Sequence, residues 1–232
     1  MKEPTWQQGR ISRNKLYNAS YGLASNTSFD ADGRVLVETG FLFDVVSTVG
    51  QVKDSQIGPG IPKNWLQKAK DESDLGLEKA RHKLWRTILM DTMRTTNTNV
   101  GVYKRASTKD YREFDSWEKI VTNGESWPRN DDRLNLTLET ATMIRRFFVS
   151  SHGYFGLGPE LVKEGDEIYI LPGSACPLIL RSNPQHITAD LTRNRSTTKQ
   201  FHTYVGDCYV DSIMDGEAVK SSSFPLQTLF LK

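Results

Sequence analysis

Cysteine is scarce in this sequence: Cys176 and Cys208 are the two among 232 residues. Two thiols cannot staple a fold together, which points to a reducing compartment and an expected cytoplasmic location. Long hydrophobic runs are missing too. No stretch approaches the roughly 18 apolar residues of a membrane span, and the start, Met1-Lys2-Glu3-Pro4-Thr5-Trp6-Gln7-Gln8, lacks the apolar core of a secretion signal. Charge of one sign is absent as well, since 30 basic and 28 acidic residues leave a net +2. A nucleic-acid binder concentrates positive charge on one element. The best local run here, Arg193-Asn194-Arg195-Ser196-Thr197-Thr198-Lys199, has three charges and no aromatic ring, and reads as a solvated loop. Neither nucleic acid nor a membrane is therefore expected as a partner. What is present is enough to fold: a chain with 37% hydrophobic and 10% aromatic residues can bury a core.

The chain divides into three stretches of different texture. Residues 1–61 are strand-rich. Val35-Leu36-Val37, Phe41-Leu42-Phe43 and Asp44-Val45-Val46-Ser47-Thr48-Val49 are short β-branched and aromatic runs, bounded by Asp32-Gly33 and Gly50. Residues 62–150 are helical. Leu77, Ala80, Leu84 and Ile88 recur at spacings of three and four, with Trp85 and Leu89 beside them and Ser73 or Asp74 as cap. A second helix is expected near 131–149, capped by Asp131 or Asp132, with Leu134, Leu138, Ala141, Ile144 and Phe148 on one face. The polar stretch between them, roughly 94–112, reads as a mobile connection. Residues 151–232 return to short apolar runs separated by Gly, Pro and Asn: Ile168-Tyr169-Ile170-Leu171, Pro177-Leu178-Ile179-Leu180, Tyr204-Val205 and Cys208-Tyr209-Val210. The expectation is a single α+β unit with short N-terminal strands, central helices and a small C-terminal antiparallel β-sheet or barrel.

Chemistry has few candidates. Asp207, Asp211, Asp215 and Glu217 form the densest acidic cluster. On one continuous strand, residues two apart share a face, so all four would project together. Such crowding could raise one carboxyl for general acid work or hold a divalent cation; the plainer expectation is a solvent-facing strand edge. Arg146 and Arg181 flank apolar residues and are expected to be partly buried, with Asp207 or Glu217 as counter-ion; the same pair could recognise an acidic ligand. Cys208 and His202 are six residues apart, about 20 Å along a strand, which is too far for a nucleophile and its base. Cys208 is expected to be a buried thiol. His82, His152, His186 and His202 show no close pair, so neither a metal site nor a cofactor is predicted.

The C-terminal third carries an ordered series of motifs. Arg145-Arg146-Phe147-Phe148 is followed by Gly153-Tyr154-Phe155-Gly156-Leu157-Gly158-Pro159, Gly165-Asp166, Gly173, Pro177-Leu178-Ile179-Leu180-Arg181, Val205-Gly206-Asp207-Cys208-Tyr209-Val210 and Ile213-Met214-Asp215-Gly216-Glu217. This series resembles the C-terminal region of fungal heterokaryon incompatibility (HET) proteins. Upstream, Tyr17-Asn18-Ala19-Ser20, the Gly33-to-Gly50 block and Leu84-Trp85-Arg86-Thr87-Ile88-Leu89 resemble that region in the same order. Family members usually open with a HET signalling domain, which has no counterpart in these residues. They also tend to have His-Gly where this chain has Asp211-Ser212. Gly153, Gly156 and Gly158 read as positions needing positive φ or close approach at the exit of the second helix. They fit neither the P-loop nor the dinucleotide fingerprint.

Two functions follow from this reading. The resemblance implies a non-catalytic recognition or regulatory module of the heterokaryon-incompatibility type, with a protein or small molecule as partner. The alternative is a stand-alone, cofactor-free enzyme of cyclase or isomerase type, which would use the acidic cluster for acid–base chemistry.

Overall fold

The computed structural model describes residues 16–54, 60–71, 77–95, 102–122, 132–183, 186–190, 195–221 and 225–232. One strand organises them. The three apolar runs read as separate strands are joined in β2 (Leu36–Lys53), which is bulged between Leu42 and Asp44, between Val46 and Thr48, and between Val49 and Val52. The bulges let a single strand change partners as the sheet twists around it. Its first half pairs with β13 (Gln227–Leu231), β1 (Ser28–Phe29) and β7 (Glu167–Ile170). Its second half pairs with β5 (Arg145–Ser150), which continues through β6 (Phe155–Pro159) to β12 (Tyr209–Val210).

β7 pairs with β8 (Leu178–Ser182), β8 with β11 (Phe201–Asp207), and β11 runs parallel to β13. Since β13 and β7 both pair with β2, these strands close into a ring; of the antiparallel sheet or barrel expected at the C-terminus it is the barrel, completed by the N-terminal β2 and including one parallel pair. Its interior is lined by a cluster of Leu42, Tyr169, Leu178, Leu180, Leu229 and Leu231, in which Leu42, Tyr169 and Leu178 oppose one another in register. Gly40 faces the same interior, and a Cβ there would lie 2.4 Å from Leu171 Cδ2. Alternate residues, Phe41, Ile168, Ile170 and Ile179, face outward and pack on Phe148, Val162 and Val210. A Cβ at Gly156 would fall 2.0 Å from Phe148 Cζ, so this glycine is required by close approach. Gly153 takes φ +77 in the β5–β6 turn.

The helices cover the other face of β5 and β6, where Phe147, Val149, Phe155 and Leu157 point. α1 (Lys63–Asp71) buries Trp65 and Ala69, one turn apart. α2 (Leu77–Ile88) buries Ala80, Leu84, Trp85 and Ile88 as its period predicts. The proposed caps Ser73 and Asp74 lie outside the described residues. The polar stretch expected to be mobile is instead ordered over its described part. β3 (Thr92–Arg94) pairs with β4 (Tyr103–Arg105), and α3 (Thr108–Thr122) follows. Ser107 precedes α3, and its N–H and hydroxyl both donate to the Asp110 carboxylate, which reaches back from the first turn as one half of a capping box does.

The second predicted helix is shorter than expected. α4 (Asp132–Thr142) buries Leu134, Leu138 and Ala141, but Ile144 and Phe148 do not extend its face. Ile144 turns to φ +57 and gives its N–H to the Lys53 carbonyl at 2.8 Å, which starts β5 against β2. A final turn, α5 (Glu217–Lys220), precedes β13. No helix among the described residues is long and apolar enough to cross a membrane.

Candidate functional site

The acidic cluster does not converge. β11 ends at Asp207, β12 spans two residues, and the chain then reverses through Ser212 at φ +72 and Gly216 at φ +82. A continuous strand would have aligned the four carboxylates; these left-handed residues aim them apart. Asp207 binds Arg145 at 3.3 Å, and its carbonyl accepts from the same guanidinium. Asp211 is buried, accepts from Tyr209 Oη at 3.3 Å and Ser212 Oγ at 3.0 Å, and lies 3.5 Å from Arg86 Nε. Asp215 pairs with Arg105, and Glu217 accepts the Asp215 N–H at 2.7 Å.

The arginines differ from expectation as well. Arg181 donates to Asp166 through Nε at 2.7 Å and Nη2 at 2.9 Å, and to the Leu161 carbonyl at 2.8 Å. Arg181 opposes Thr203, whereas Asp207 opposes Leu178, about 10 Å farther along the strand pair. Arg146 is half-buried between Val52 and Gly158, and its buried Nε has no hydrogen-bond partner among the described residues. Its neighbour Arg145 points to the opposite face and takes Asp207, because successive residues alternate on a strand. Reading this segment as helix hid that alternation.

A charged junction gathers two of the predicted residues with three that the sequence did not flag. Asp91 follows α2 at φ +49, with Met90 before it at φ +53. Its carboxylate lies 3.2 Å from Arg86 and 3.0 Å from Arg105. Burial pushes the Asp91 carboxyl upward, against the pull of both arginines. Arg105 also donates to the Leu16 carbonyl at 3.1 Å and to Asp215, and stands 4.9 Å from the centre of the Tyr17 ring. The Tyr17 hydroxyl donates to the Met90 carbonyl, and Asn18 N–H to the Met214 carbonyl at 2.8 Å. Residues 16–18, the end of α2, β4 and the turn after β12 thus meet at one node. Each carboxylate there is held by a guanidinium, an arrangement suited to fixing segments against one another. Asp91 carries no linear sequence signal because its position depends on a left-handed helix exit.

Other reactive groups lie apart. Cys208 is fully buried, and burial pushes its thiol up; Cys176 is also buried. His202 hydrogen-bonds Glu167 at 3.1 Å, and His82 is exposed beside Trp85 and Tyr111. His152 lies on the β5–β6 turn, its exposed ring 2.9 Å from buried Asp44, and this hydrogen bond raises the His152 pKa. No group of three or more potential metal ligands occurs among the described residues.

Residues 133–224 match the family model of the Het-6 beta-barrel domain. A 75-residue stretch is 32% identical to "Heterokaryon incompatibility protein 6, OR allele" of Neurospora crassa; it spans 32% of this chain and 9% of that relative. No solved structure matches. The resemblance to the C-terminal region of heterokaryon incompatibility proteins is thereby found by two comparisons, and β2 and β13, which close the ring, lie outside the matched segment.

Proposed function

We propose that this chain is a recognition and regulatory module of the heterokaryon-incompatibility type, binding a protein or small ligand in a reducing, cytoplasmic setting. The match of residues 133–224 to the Het-6 beta-barrel domain carries the family side of this reading. The geometry supports its non-catalytic side. Asp207, Asp211, Asp215 and Glu217 point to separate partners and hold structure, so they do not assemble an acid–base pair. Arg146, with a buried donor that finds no acceptor among the described residues, is the more available of the two arginines for an acidic ligand.

The test is a forced heterokaryon between fungal strains that express the chain and strains that lack it, scored for growth and cell death. Growth that depends on the chain, with an unchanged small-molecule profile, supports the reading. Normal growth together with loss of one metabolite and gain of its precursor overturns it.

A further inference from the structure

We propose that Thr27 is a phosphorylation site, and that a phosphate there unlatches residues 24–29 from the barrel. The latch is a buried carboxylate. Glu38 on β2 is 5% exposed, and no cation pairs with it among the described residues. Its Oε2 accepts from the hydroxyls of Thr27 and of Ser25, the latter at 3.3 Å, and its Oε1 takes the Thr39 N–H at 3.0 Å. A buried carboxylate without a counter-ion rests on such donors, and losing them is costly. Ser25 and Thr27 are themselves exposed, with their hydroxyls 2.6 Å apart.

Little else holds these residues down. Ala24, Ser25 and Asn26 make no backbone hydrogen bond among the described residues, and β1 after them is two residues long. Leu23 and Phe29 are 38% and 67% exposed, so core packing barely opposes release. The preceding turn is anchored separately. The N–H groups of Ala19 and Ser20 donate to the Ala175 and Ser174 carbonyls at 3.0 and 3.3 Å, and Leu23 N–H donates to the Ser20 carbonyl at 3.1 Å. An opening at Thr27 therefore stops short of Leu23.

Charge selects the enzyme and fixes the effect. Residues 16–33 contain no Lys or Arg, and Asp30 and Asp32 follow Thr27 by three and five residues. A kinase with a basic substrate groove complements that stretch. In the transfer, Thr27 Oγ1 attacks the γ-phosphorus of ATP and the bond from that phosphorus to the β,γ-bridging oxygen breaks. ADP leaves with the electron pair, and the hydroxyl proton passes to a kinase carboxylate. A donor to Glu38 thus becomes a phosphate of charge about −1.5 to −2, which the carboxylate repels. The cations on this side are engaged or distant. Lys199 lies 4.8 Å from the centre of the Phe230 ring and its charge reaches Asp30, while Lys220 stands 4.3 Å from the centre of the Tyr21 ring and donates to the Asp215 carbonyl. Arg34 precedes Glu38 by four residues, roughly 13 Å of extended chain.

The full chain incubated with ATP and an acidophilic protein kinase, mapped by mass spectrometry and followed by NMR relaxation, tests the proposal. Phosphate is expected at Thr27. Amide order parameters of residues 24–29 should then fall below about 0.6, while those of Ala19 and Ser20 stay near about 0.85. A phosphatase should reverse the change, and Thr27→Glu should reproduce part of it without the kinase. In Glu38→Gln, where the repelling charge is gone, phosphorylation should lower the order parameters less than half as much. Absence of phosphate at Thr27, phosphate without a fall, or an equal fall in Glu38→Gln each overturns the proposal. So does a more ordered segment, which would mean that Lys199 or Arg34 captures the phosphate. An unmodified chain already below about 0.6 over residues 24–29 has no latch and overturns it too. The latch belongs to this chain alone, so none of these results decides the heterokaryon test.

Discussion

Replacing Asp207 by Asn separates a structural carboxylate from a catalytic one. The Arg145 side chain is 6% exposed and that of Asp207 13%, with Nη2 and Oδ2 3.3 Å apart. Removing one partner of a buried ion pair leaves the other charge in a medium that solvates it poorly, which typically costs about 3–5 kcal/mol. Asparagine retains one acceptor oxygen, and Arg145 still reaches the Leu157 and Asp207 carbonyls. The expected loss is therefore about 3 kcal/mol, the low end of that range. Against a typical total of about 5–15 kcal/mol this is a large fraction. Equilibrium urea unfolding should show a lower midpoint with an unchanged slope. Removing both charges, as Arg145→Met with Asp207→Leu, should recover most of the loss, because the penalty belongs to the unpaired ion. Asp166→Asn provides the contrast. Its partner Arg181 is 34% exposed and can rehydrate, so a smaller loss of about 1–2 kcal/mol is expected. A loss below about 1 kcal/mol for Asp207→Asn would refute the buried-pair reasoning and return Asp207 to the list of possible acid–base groups.

Three further outcomes are expected. Ser212→Gly should stabilise the fold by about 0.5–1 kcal/mol by relaxing φ +72, partly offset by loss of the 3.0 Å bond to Asp211; a lower melting temperature would contradict this. His152 is raised above its ordinary value of 6.5, so the stability it adds is fully present below that pH and is lost as pH rises through the raised value. The melting-temperature difference between the parent and His152→Gln should thus be larger near about pH 5.5 than near about pH 8.5, and a difference that grows with pH contradicts the assignment. A fragment of residues 133–224 lacks both β2 and β13 and should show no cooperative thermal transition by circular dichroism, whereas a sharp transition would mean that the ring is not needed.

The sequence revealed what depends on neighbours in the chain. Ala80, Leu84 and Ile88 form a buried stripe because a helix repeats every 3.6 residues, and Leu134, Leu138 and Ala141 do the same. The pattern misled at Ile144 and Phe148, which keep helical spacing by coincidence. There the backbone is decided by the Lys53 carbonyl, 91 residues away in sequence, taking the Ile144 N–H. The acidic cluster failed for a related reason. Period-two alternation holds only while a strand continues, and Ser212 adopts a left-handed conformation that its residue type does not advertise. Arg86, Asp91 and Arg105 were invisible because the left-handed Met90 and Asp91 and the β3–β4 pairing bring them together, and neither feature is announced by residue type.

The closure of the ring explains why a family match and a folding unit need not coincide. The segment 133–224 supplies β5 through β12, but β7 and β11 are joined on their far side through β2 and β13. β2 also carries Lys53 and Asp44, which fix the start of β5 and the β5–β6 turn. The charged junction extends the same dependence to the helices, since Arg86 and Arg105, bridged by Asp91, hold the turn containing Asp211 and Asp215. Sequence similarity concentrates where residues have local or packing constraints of their own. A strand such as β2 needs apolar character and bulges in the right places, which many sequences satisfy. The recognisable part of this protein is therefore shorter than the part that must fold together, and a site built on the barrel depends on residues from both.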